Sequence, residues 1–525
     1  IDSGDGTPLT AADPLTAEGP TLRLGSQLPD VTGIMDERYG GYRIQVDAPL
    51  QVIADTGQRP AERPDVGGDL QMASFNVLNY FTTLDVAGAG TGPNGDLDPR
   101  GATTAEDLVR QTDKLVAAIT RMDAEVLALQ EIENNGFGEE SAIATLVDAL
   151  NRAEGADVWA FVDPGTGFVG TDAITTGIIY RADQVALKGS AVLDYTESTA
   201  ATTWDIVRQI QESTGDFVGD FDRNRPSMAA SFEAADGGGI TVVANHLKSK
   251  GASGLDSLLD AAMAADVDPA LIEALRNDPN FDQGDGQGFW NGVRQEAAAE
   301  LTRWIATDPT GAGSIENVLL LGDLNSYAME DPVQALKQAG LTDLAGAYLG
   351  QEAYSYVFDG QRGTLDYGLA SQGLLDNVTG VAEWHINADE PDLFSYSSAF
   401  NNAGFYNADP FAVSDHEPIL VGVTLDKPVR TVVTGVDFGG GWRFFDRISY
   451  SEDGETVARQ VVPPIARGLD IKGSDISISA EGTRFGLLTF AGEGLGIYAP
   501  LSDRIWKSEA HRIDGPEALR VSTRR

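Results

Sequence analysis

The amino-acid sequence predicts an α/β protein built around mixed β-sheets. Short, strongly apolar runs, typical of strands buried on both faces, alternate along the chain with segments of helical spacing. Polar residues able to perform chemistry follow the ends of several of these runs and precede the starts of others. Because antiparallel strands of a mixed sheet start on the edge where their neighbours end, such residues can meet at one edge.

The clearest predicted strand is the apolar run 318–321, which stops at Gly322 and is followed by Asp323 and Asn325. A carboxylate and an amide at the end of a dry strand must be hydrogen-bonded, metal-bound or reactive. A loop that caps its own turn would explain most isolated pairs of this kind. This pair is not isolated, because similar residues flank other predicted strands.

The remaining elements of the main domain follow from apolar runs, caps and helix breakers. Asp331 is predicted to cap a helix that has Pro332 at its first position and ends at Gly340. Thr104 and Asp107 have the spacing of a capping box at the start of another helix. Strands are predicted over 72–76, 126–129, 176–181, 240–244, 318–321, 365–370 and 419–425. Helices are predicted over 104–122, 141–153, 255–276, 293–305 and 331–340.

Composition divides the chain into three predicted regions. Residues 1–66 are rich in Pro, Gly and Asp and contain a predicted hairpin. Residues 67–426 form the main domain, and residues 427–525 form a β-rich C-terminal module for which the sequence indicates no chemistry. The hairpin pairs 31–35 with 39–44, and the C-terminal module has predicted strands at 430–437, 475–480 and 485–490.

The charge balance and the cysteine count exclude several kinds of site. The chain has 36 Lys and Arg residues against 80 Asp and Glu, a formal net charge of −44. Such a surface repels polyanions except at a local basic patch or a metal ion. The absence of cysteine excludes disulfides, thiolate catalysis and cysteine zinc sites. No apolar run approaches the roughly 18 residues of a membrane helix, so no membrane span is predicted.

Eight polar residues lie at predicted strand ends in a way that random scatter would not produce. The residues that follow strands are Asn76, Glu131, His246, Asp323 and Asn325. The residues that precede strands are Asp366, Asp415 and His416. In a mixed sheet all eight can converge on one edge, and we expect them to do so.

This combination of side chains suits the hydrolysis of phosphoesters with a divalent metal. Carboxylate and amide oxygens are the ligands that Mg²⁺, Mn²⁺ and Ca²⁺ prefer. A bound metal neutralises phosphate charge and stabilises the leaving oxygen, and a histidine oriented by a carboxylate moves protons near neutral pH. Each residue alone would more often be a solvated acid or a structural histidine, so the prediction depends on the set.

The chain contains six short motifs, which are Ser74–Asn76, Gln130–Glu131, Asn245–Ser249, Gly322–Asn325, Leu365–Tyr367 and Ser414–His416. In this order they resemble the motifs of the endonuclease/exonuclease/phosphatase superfamily, the deoxyribonuclease I-like proteins, and the resemblance covers residues 67–425. It implies a four-layer α/β sandwich with two mixed β-sheets, flanked here by small β-rich modules. Segments 93–119 and 284–288 are more narrowly similar to the bacterial extracellular nucleases, and residues 1–66 resemble the tail of an OB-like module.

The resemblance implies a metal site and a water-activating residue. Glu131 resembles the main metal ligand, with Asn76 beside it and Asp415 near the metal edge. The metal would be Mg²⁺ or Mn²⁺, with Ca²⁺ as a third candidate. Asp323 would align or deprotonate the attacking water, and Asn325 would hold a phosphate oxygen.

The two motif histidines would serve as acid and base. His416, oriented by Asp366, would be one of them. His246 would contact phosphate or act as the second. Asp172, just upstream of the predicted strand 176–181, is the predicted partner of His246 on the basis of its placement alone.

Two basic clusters interrupt the acidic background and are candidates for contact with phosphate. Arg223 and Arg225 precede Pro226, and Lys248 follows the motif histidine. In the family that the chain resembles, an arginine before a proline in this position faces phosphate. Solubilising surface charge is the alternative interpretation, and it is stronger for Arg223 than for the other two.

The predicted function is metal-dependent hydrolysis of phosphodiester bonds, with DNA and RNA as candidate substrates. The resemblance also implies an extracellular or periplasmic location. One alternative is a phosphodiesterase or phosphatase of the same fold acting on small or lipid-linked phosphates, which the charge of −44 favours. A second is a surface protein with an inactive nuclease domain, although the motif set has no gap. The sequence leaves the metal, the polarity of cleavage and the oligomeric state open.

Overall fold

A computed structural model describes residues 22–38, 41–46, 50–53, 56–215, 224–235, 237–314, 316–399 and 403–425, together with the backbone of six later strands. The described residues up to 425, apart from 237 and 238, belong to one compact unit, and the later strands belong to a second. A separate N-terminal domain ending at residue 66 stays a prediction.

The first unit contains 16 strands and 8 α-helices in its described part, and these alternate along the chain. The strands are β1 Gly33–Arg38, β2 Gly41–Val46, β3 Leu70–Tyr80, β4 Val126–Glu133, β5 Trp159–Phe161, β6 Ile174–Arg181, β7 Val185–Leu193, β8 Arg225–Ala234, β9 Gly239–His246, β10 Val318–Asp323, β11 Thr342–Asp343, β12 Tyr356–Phe358, β13 Gln361–Gly363, β14 Asp366–Ala370, β15 Val378–Glu383 and β16 Ile419–Val423. The helices are α1 Ala105–Met122, α2 Ala142–Glu154, α3 Ser198–Thr214, α4 Leu255–Ala264, α5 Pro269–Arg276, α6 Asn291–Ile305, α7 Asp331–Gln338 and α8 Leu344–Tyr348.

Two six-stranded mixed sheets form the centre of this unit. The first sheet has the strand order β15-β16-β3-β4-β6-β5, and the second has the order β11-β14-β10-β9-β8-β7. In each sheet one central pair is parallel, β3 with β4 and β9 with β10, and the other pairs are antiparallel. The predicted mixed sheets are confirmed.

The two sheets pack face to face through apolar side chains that alternate along the strands. Met72 and Ala128 of the first sheet share one buried cluster with Val242 and Leu319 of the second. Neighbouring residues on the same strands point to the opposite face, as the two-residue period of a strand requires. These runs are therefore apolar on both faces, which is why they could be recognised in the sequence.

Helices cover the outer face of each sheet and complete the four layers. Leu115 of α1 and Leu146 of α2 pack with Phe75 of the first sheet. Leu301 of α6 and Leu336 of α7 belong to the cluster that covers the second sheet. The expected four-layer sandwich is therefore the observed architecture. None of the helices in the described part of the chain combines the length and apolar character needed to cross a bilayer.

Local signals explain most helix boundaries, with two corrections. The helix predicted over 255–276 is divided into α4 and α5, and Asp268 caps the second of them. Helix α1 begins after Thr104, whose side chain accepts a hydrogen bond from the backbone N–H of Asp107 as predicted. The sequence predicts Asp331 as the N-cap of α7, but Asp331 is the first residue of that helix and Glu330 is the cap. The Asp331 carboxylate instead accepts hydrogen bonds from Gln287 and Gln295, two side chains distant in sequence.

Smaller β-elements lie outside the two large sheets. The predicted N-terminal hairpin is confirmed as β1 paired antiparallel with β2. The second unit contains β17 Arg430–Asp437, β18 Arg443–Tyr450, β19 Thr456–Val462, β20 Leu487–Phe490, β21 Leu495–Tyr498 and β22 Ile505–Trp506, arranged as two three-stranded antiparallel sheets. The predicted strand 475–480 lies outside the described residues.

Candidate active site

Strand register brings the predicted site residues to one edge of the sandwich. In the second sheet Asp323 lies opposite His246 on the parallel strand β9 and opposite Asp366 on the antiparallel strand β14. In the first sheet β3 and β4 end at the same edge, and β16 starts there, three residues after His416. The eight residues of the sequence prediction therefore approach each other across both sheets.

Glu131 is held at the end of β4 by an unusual turn at the end of β3. Leu78 and Asn79 both have φ of 53°, and Glu131 has φ of 65°, so three non-glycine residues are left-handed. The carboxylate of Glu131 accepts hydrogen bonds from Nδ2 of Asn76 at 3.2 Å and from the backbone N–H of Asn79 at 3.0 Å. Such strain persists where the surroundings fix it, which is common at functional sites.

The oxygen atoms around Glu131 fit a hard divalent cation. Burial and the nearby carboxylate of Asp415 raise the pKa of Glu131, so a cation at this position would relieve an unfavourable charge pair. The buried Oδ1 of Asn79 makes no hydrogen bond among the described residues. No cluster of three or more His, Cys, Asp or Glu side chains is arranged for metal binding in the described part of the chain. One or two carboxylates with water molecules is nevertheless the usual arrangement for Mg²⁺.

His416 forms a close pair with Asp366, as predicted from the resemblance. Its Nδ1 lies 2.7 Å from Oδ2 of Asp366. The hydroxyl of Ser355 accepts the backbone N–H of Asp366 at 2.9 Å, and the ring of Tyr356 packs on the imidazole with centroids 4.7 Å apart. Burial alone would lower the pKa of His416, but Asp366 and Asp415 outweigh it and raise that pKa well above its ordinary value.

Asn387 fastens the loop that carries Asp415 and His416. Its Nδ2 donates to the carbonyl of His416 at 2.7 Å, and its Oδ1 accepts the backbone N–H groups of Val413 and Ser414. In return, the buried carboxylate of Glu417 accepts the backbone N–H of Asn387 at 2.8 Å. This exchange explains why an otherwise irregular segment presents His416 in one orientation.

Asp323 ends β10 and follows Gly322, whose backbone conformation only glycine permits. Gly322 has φ of 137°, and a Cβ there would lie 2.0 Å from the carbonyl oxygen of Asn245. The carboxylate of Asp323 accepts the backbone N–H of Asn325 at 2.7 Å and its Nδ2 at 3.2 Å. Burial raises the pKa of Asp323 to about 7, with Asp366 adding to the effect and His416 opposing it.

Asn325 makes hydrogen bonds within the protein that its predicted role of holding a phosphate oxygen does not involve. Its Nδ2 donates to Asp323 and, at 3.0 Å, to the carbonyl of Leu247. One amide hydrogen therefore contacts the Asp323 carboxylate, and the other anchors Asn325 to the backbone that follows β9. The contact between Asn325 and a phosphate oxygen stays a prediction.

His246 differs from His416 in its electrostatic surroundings. Its Nε2 lies 3.5 Å from Oδ2 of Asp323, and its buried Nδ1 has no hydrogen-bond partner among the described residues. Burial, with Arg225 and His416 adding to it, lowers the pKa of His246 well below its ordinary value. The surroundings therefore shift the pKa values of the two histidines in opposite directions.

The predicted pairing of Asp172 with His246 is wrong. The carboxylate of Asp172 accepts a hydrogen bond from Nε of Arg225 at 3.0 Å and from Nη2 of Arg100 at 2.9 Å. Two permanently charged guanidinium groups bind a carboxylate more strongly than a neutral imidazole does. Burial would raise the pKa of Asp172, but the two arginines hold it below its usual value.

The predicted phosphate-binding residues are mostly buried beside His246. Arg225 donates to Asp172 and, at 3.3 Å, to the carbonyl of Leu247. Lys248 is also buried, with Nζ 3.0 Å from the Ser249 hydroxyl. Arg223 lies outside the described residues. Contact of these residues with phosphate stays a prediction.

Sequence reasoning missed several residues that shape the site. Ser355, Tyr356 and Asn387 act through contacts with segments distant along the chain, and no local pattern marks them. Arg100 had a signal that could have been used, since it is the one basic residue between Arg63 and Arg110. Arg100 lies in a loop rich in Gly and Asp, and its partner Asp172 is distant in sequence, so no local pattern indicates the pair.

The chain belongs to the Endonuclease/Exonuclease/phosphatase family, whose sequence profile matches residues 73–416. The match includes every predicted site residue, and it confirms the resemblance inferred from the six motifs. Members of this family hydrolyse phosphoesters and generally use divalent metals. A search of curated proteins found no match to this chain.

Several solved structures are similar to this chain at low sequence identity. The human Nocturnin catalytic domain is 14% identical over 68% of this chain and 93% of its own, with a TM-score of 0.36. A mannosyl-6-phosphatase of Bacteroides thetaiotaomicron is 13% identical over 68% and 100%, with a TM-score of 0.38. An AP endonuclease of Leishmania major is 14% identical over 68% and 88%, with a TM-score of 0.36.

Proposed function

We propose that this protein is a divalent-metal-dependent phosphodiesterase that cleaves DNA and also RNA. The observation that carries the proposal is that His416, paired with Asp366 at 2.7 Å, and His246, 3.5 Å from Asp323, meet at one edge of the sandwich. His416 has a raised pKa, His246 has a lowered pKa, and Asp323 has a pKa of about 7. Groups whose pKa values are pushed apart by their surroundings are suited to separate acid and base roles.

In the proposed reaction, a water molecule attacks phosphorus in line with the leaving oxygen. Asp323 accepts a proton from that water as the new P–O bond forms and the bond to the leaving oxygen breaks. Nδ1 of His416 is engaged by Asp366, so Nε2 is the atom that donates its proton to the leaving oxygen. Neutral His246 lies beside Asp323, where it orients the water or a phosphate oxygen.

The residues that would hold the metal differ from those that transfer protons. Glu131 and Asp415 would hold the ion, with Asn76 fixing the Glu131 carboxylate. When bound, a divalent metal neutralises phosphate charge and stabilises developing negative charge on oxygen. Mg²⁺ and Mn²⁺ are the ions we propose, with Ca²⁺ as the third candidate, because all three prefer oxygen ligands.

The proposal of a nucleic acid substrate depends on cations around the site. Arg225, Lys248 and Arg100 all face His246 closely enough to lower its pKa, although the whole chain has a net charge of −44. We further propose an extracellular or periplasmic location, which is supported by the similarity to bacterial extracellular nucleases alone. Small phosphodiesters and phosphomonoesters are the main alternative substrates, and the acidic surface favours them.

The test is incubation of the purified protein with supercoiled plasmid in the presence of Mg²⁺, Mn²⁺ or Ca²⁺ and in EDTA. We expect nicking that requires a metal and that is lost in each of Asp323→Ala, Glu131→Ala and His416→Ala. Circular dichroism of the three variants establishes that they are folded. Near-wild-type turnover in any one of them would contradict the assignment.

Parallel reactions separate the candidate substrates. Bis(4-nitrophenyl) phosphate reports phosphodiesterase activity without a polymer, and 4-nitrophenyl phosphate reports phosphomonoesterase activity. If the monoester is hydrolysed and the plasmid stays intact, the protein is a phosphatase and not a nuclease. No turnover of any substrate with any of the three metals would favour an inactive domain instead.

A further inference from the structure

A carboxylate that links two arginines lies next to the candidate active site. Asp172 binds Nε of Arg225 at 3.0 Å and Nη2 of Arg100 at 2.9 Å through different oxygens. The Arg225 side chain is 5% exposed and that of Arg100 is 39% exposed. The two arginines joined by Asp172 therefore extend from the buried surroundings of His246 to the solvent.

The loop that carries Asp172 is held rigidly. Nδ2 of the buried Asn134 donates to the carbonyl groups of Val169 and Asp172, both at 3.0 Å. The backbone N–H of Asn134 donates to the carbonyl of Ala173 at 2.8 Å, and the N–H of Ala173 donates to the Asp172 carboxylate at 2.6 Å. The positions of both guanidinium groups therefore depend on a fixed anchor.

Arg100 is also held from its own side. A Cβ on Gly101 would lie 2.7 Å from Cβ of Phe81 and 3.0 Å from the carbonyl oxygen of Asn79. Glycine therefore allows this segment to lie against the end of β3, where the backbone of Asn79 binds Glu131. The backbone next to Arg100 therefore packs against the turn that binds Glu131, while its side chain reaches Asp172.

The charge of this arrangement is positive in a strongly acidic protein. Two guanidinium groups share one carboxylate, so the three side chains carry a net charge of +1. A long polyanion is repelled by a chain of net charge −44 unless its phosphates meet local cations. An arginine offers five N–H donors, and the bond from Arg100 to Asp172 uses one nitrogen.

We propose that Arg100, fixed by Asp172, binds a phosphate that flanks the scissile phosphate, so that the substrate is a polynucleotide strand rather than an isolated phosphoester. This inference rests on the proposed phosphodiesterase function and specifies its substrate. Arg225 is buried and lies opposite His246 in the sheet, whereas Arg100 is partly exposed and so is accessible to a neighbouring phosphate of a strand. A single small phosphoester has no such neighbouring phosphate.

The variant Arg100→Gln tests this proposal against two substrates. For a single-stranded oligodeoxynucleotide we expect KM to rise roughly fivefold or more. For bis(4-nitrophenyl) phosphate, which has a single phosphate, we expect KM to rise much less than it does for the oligonucleotide. The affinity for the oligonucleotide should also depend less on salt, with the slope of log K against log[salt] smaller by about 0.7, as expected for one lost phosphate contact.

A matched control is Arg181→Gln, which also removes one arginine engaged with acidic side chains. Arg181 ends β6 beside the start of β4, so it lies at the far end of the strands from Glu131. Its side chain contacts Glu154 and Asp183. We expect it to leave the oligonucleotide KM and the salt slope unchanged. Arg100→Lys should have the salt slope of the wild type but only part of its affinity for the oligonucleotide. Lysine keeps the positive charge but lacks the planar guanidinium that can bind a phosphate through two nitrogens.

Binding by fluorescence anisotropy in the His416→Ala background keeps the test independent of turnover. If wild-type protein hydrolyses neither substrate, the proposed function fails, and binding still decides the role of Arg100. Weaker oligonucleotide binding in the double variant supports the proposal. Equal binding with and without Arg100, or an equal loss of activity on both substrates, would overturn it.

Discussion

Nδ1 of His416 and Oδ2 of Asp366 lie 2.7 Å apart, and this pair joins the two sheets at their shared edge. Asp366 is the first residue of β14 in the second sheet, whereas His416 precedes β16 in the first. The orientation of the proposed acid therefore depends on how the sheets pack, and not on its own loop alone. Removal of the carboxylate should separate the chemical function of the pair from the fold.

We expect Asp366→Asn to reduce kcat by roughly 10²- to 10⁴-fold, the range seen when a proton-transferring residue or its orienting carboxylate is lost. Without the carboxylate the pKa of His416 falls, so the protonated form is lost at a lower pH. The alkaline limb of the kcat profile should therefore move to lower pH. The exposed Asp376→Asn is the control, and an unshifted limb with unchanged kcat would remove Asp366 from the mechanism.

The acid limb of the profile should report Asp323. Because burial raises its pKa to about 7, the carboxylate is protonated below that pH and cannot accept a proton from water. We expect kcat/KM to fall about tenfold per unit of pH below 7 and to be level from there up to the alkaline limb. Asp323→Asn, which cannot ionise, should abolish this limb together with the activity. A level profile between pH 5 and 7 would contradict the role.

The sequence was sufficient to predict the strands that carry the site. Runs such as 126–129 and 318–321 are buried on both faces, so every residue is apolar and the pattern is unambiguous. The polar residues that end these runs stand out for the same reason. Thr104 likewise marks the start of α1 through a hydrogen bond within its own turn.

Elements stabilised by distant residues could not be predicted from local patterns. Helix α3 begins after Glu197, a left-handed residue with no side-chain cap bond, and its first N–H groups donate to the carboxylate of Glu296 in α6. Strand β7 is mostly half-buried and has no apolar run. Placement in the sequence suggests His246 as the partner of Asp172, whereas the actual partners are fixed by tertiary structure.

Metal binding should depend on Glu131 even when no substrate is present. We expect Glu131→Gln to weaken the affinity for Mg²⁺ by more than roughly tenfold, because a neutral amide replaces the charged ligand. Isothermal titration of the metal-free protein measures this directly, without reference to turnover. The exposed Glu139→Gln, from the loop after β4, is the matched control. Equal Mg²⁺ affinity in Glu131→Gln and wild type would place the metal elsewhere.

The buried Glu383 should make the stability of the protein depend on pH. Its side chain is nearly inaccessible, Oε2 accepts the backbone N–H of Tyr354 at 2.6 Å, and Oε1 has no hydrogen-bond partner among the described residues. Burial raises the pKa of Glu383 to about 7, and Asp366 and Glu417 add to that effect. The folded protein therefore favours the neutral acid.

The sign of the effect follows from the pKa of Glu383 in the unfolded and folded states. The unfolded chain ionises Glu383 near the ordinary glutamate pKa of 4.5 and the folded protein at about 7, so stability is lost as pH rises between them. Glutamine stays neutral, so Glu383→Gln should gain on the order of 2 kcal/mol over wild type between pH 5 and pH 8 in urea unfolding. The exposed Glu352→Gln should show no such gain. A gain of equal size at both pH values would indicate a packing effect, because only the ionisation of Glu383 makes the difference grow with pH.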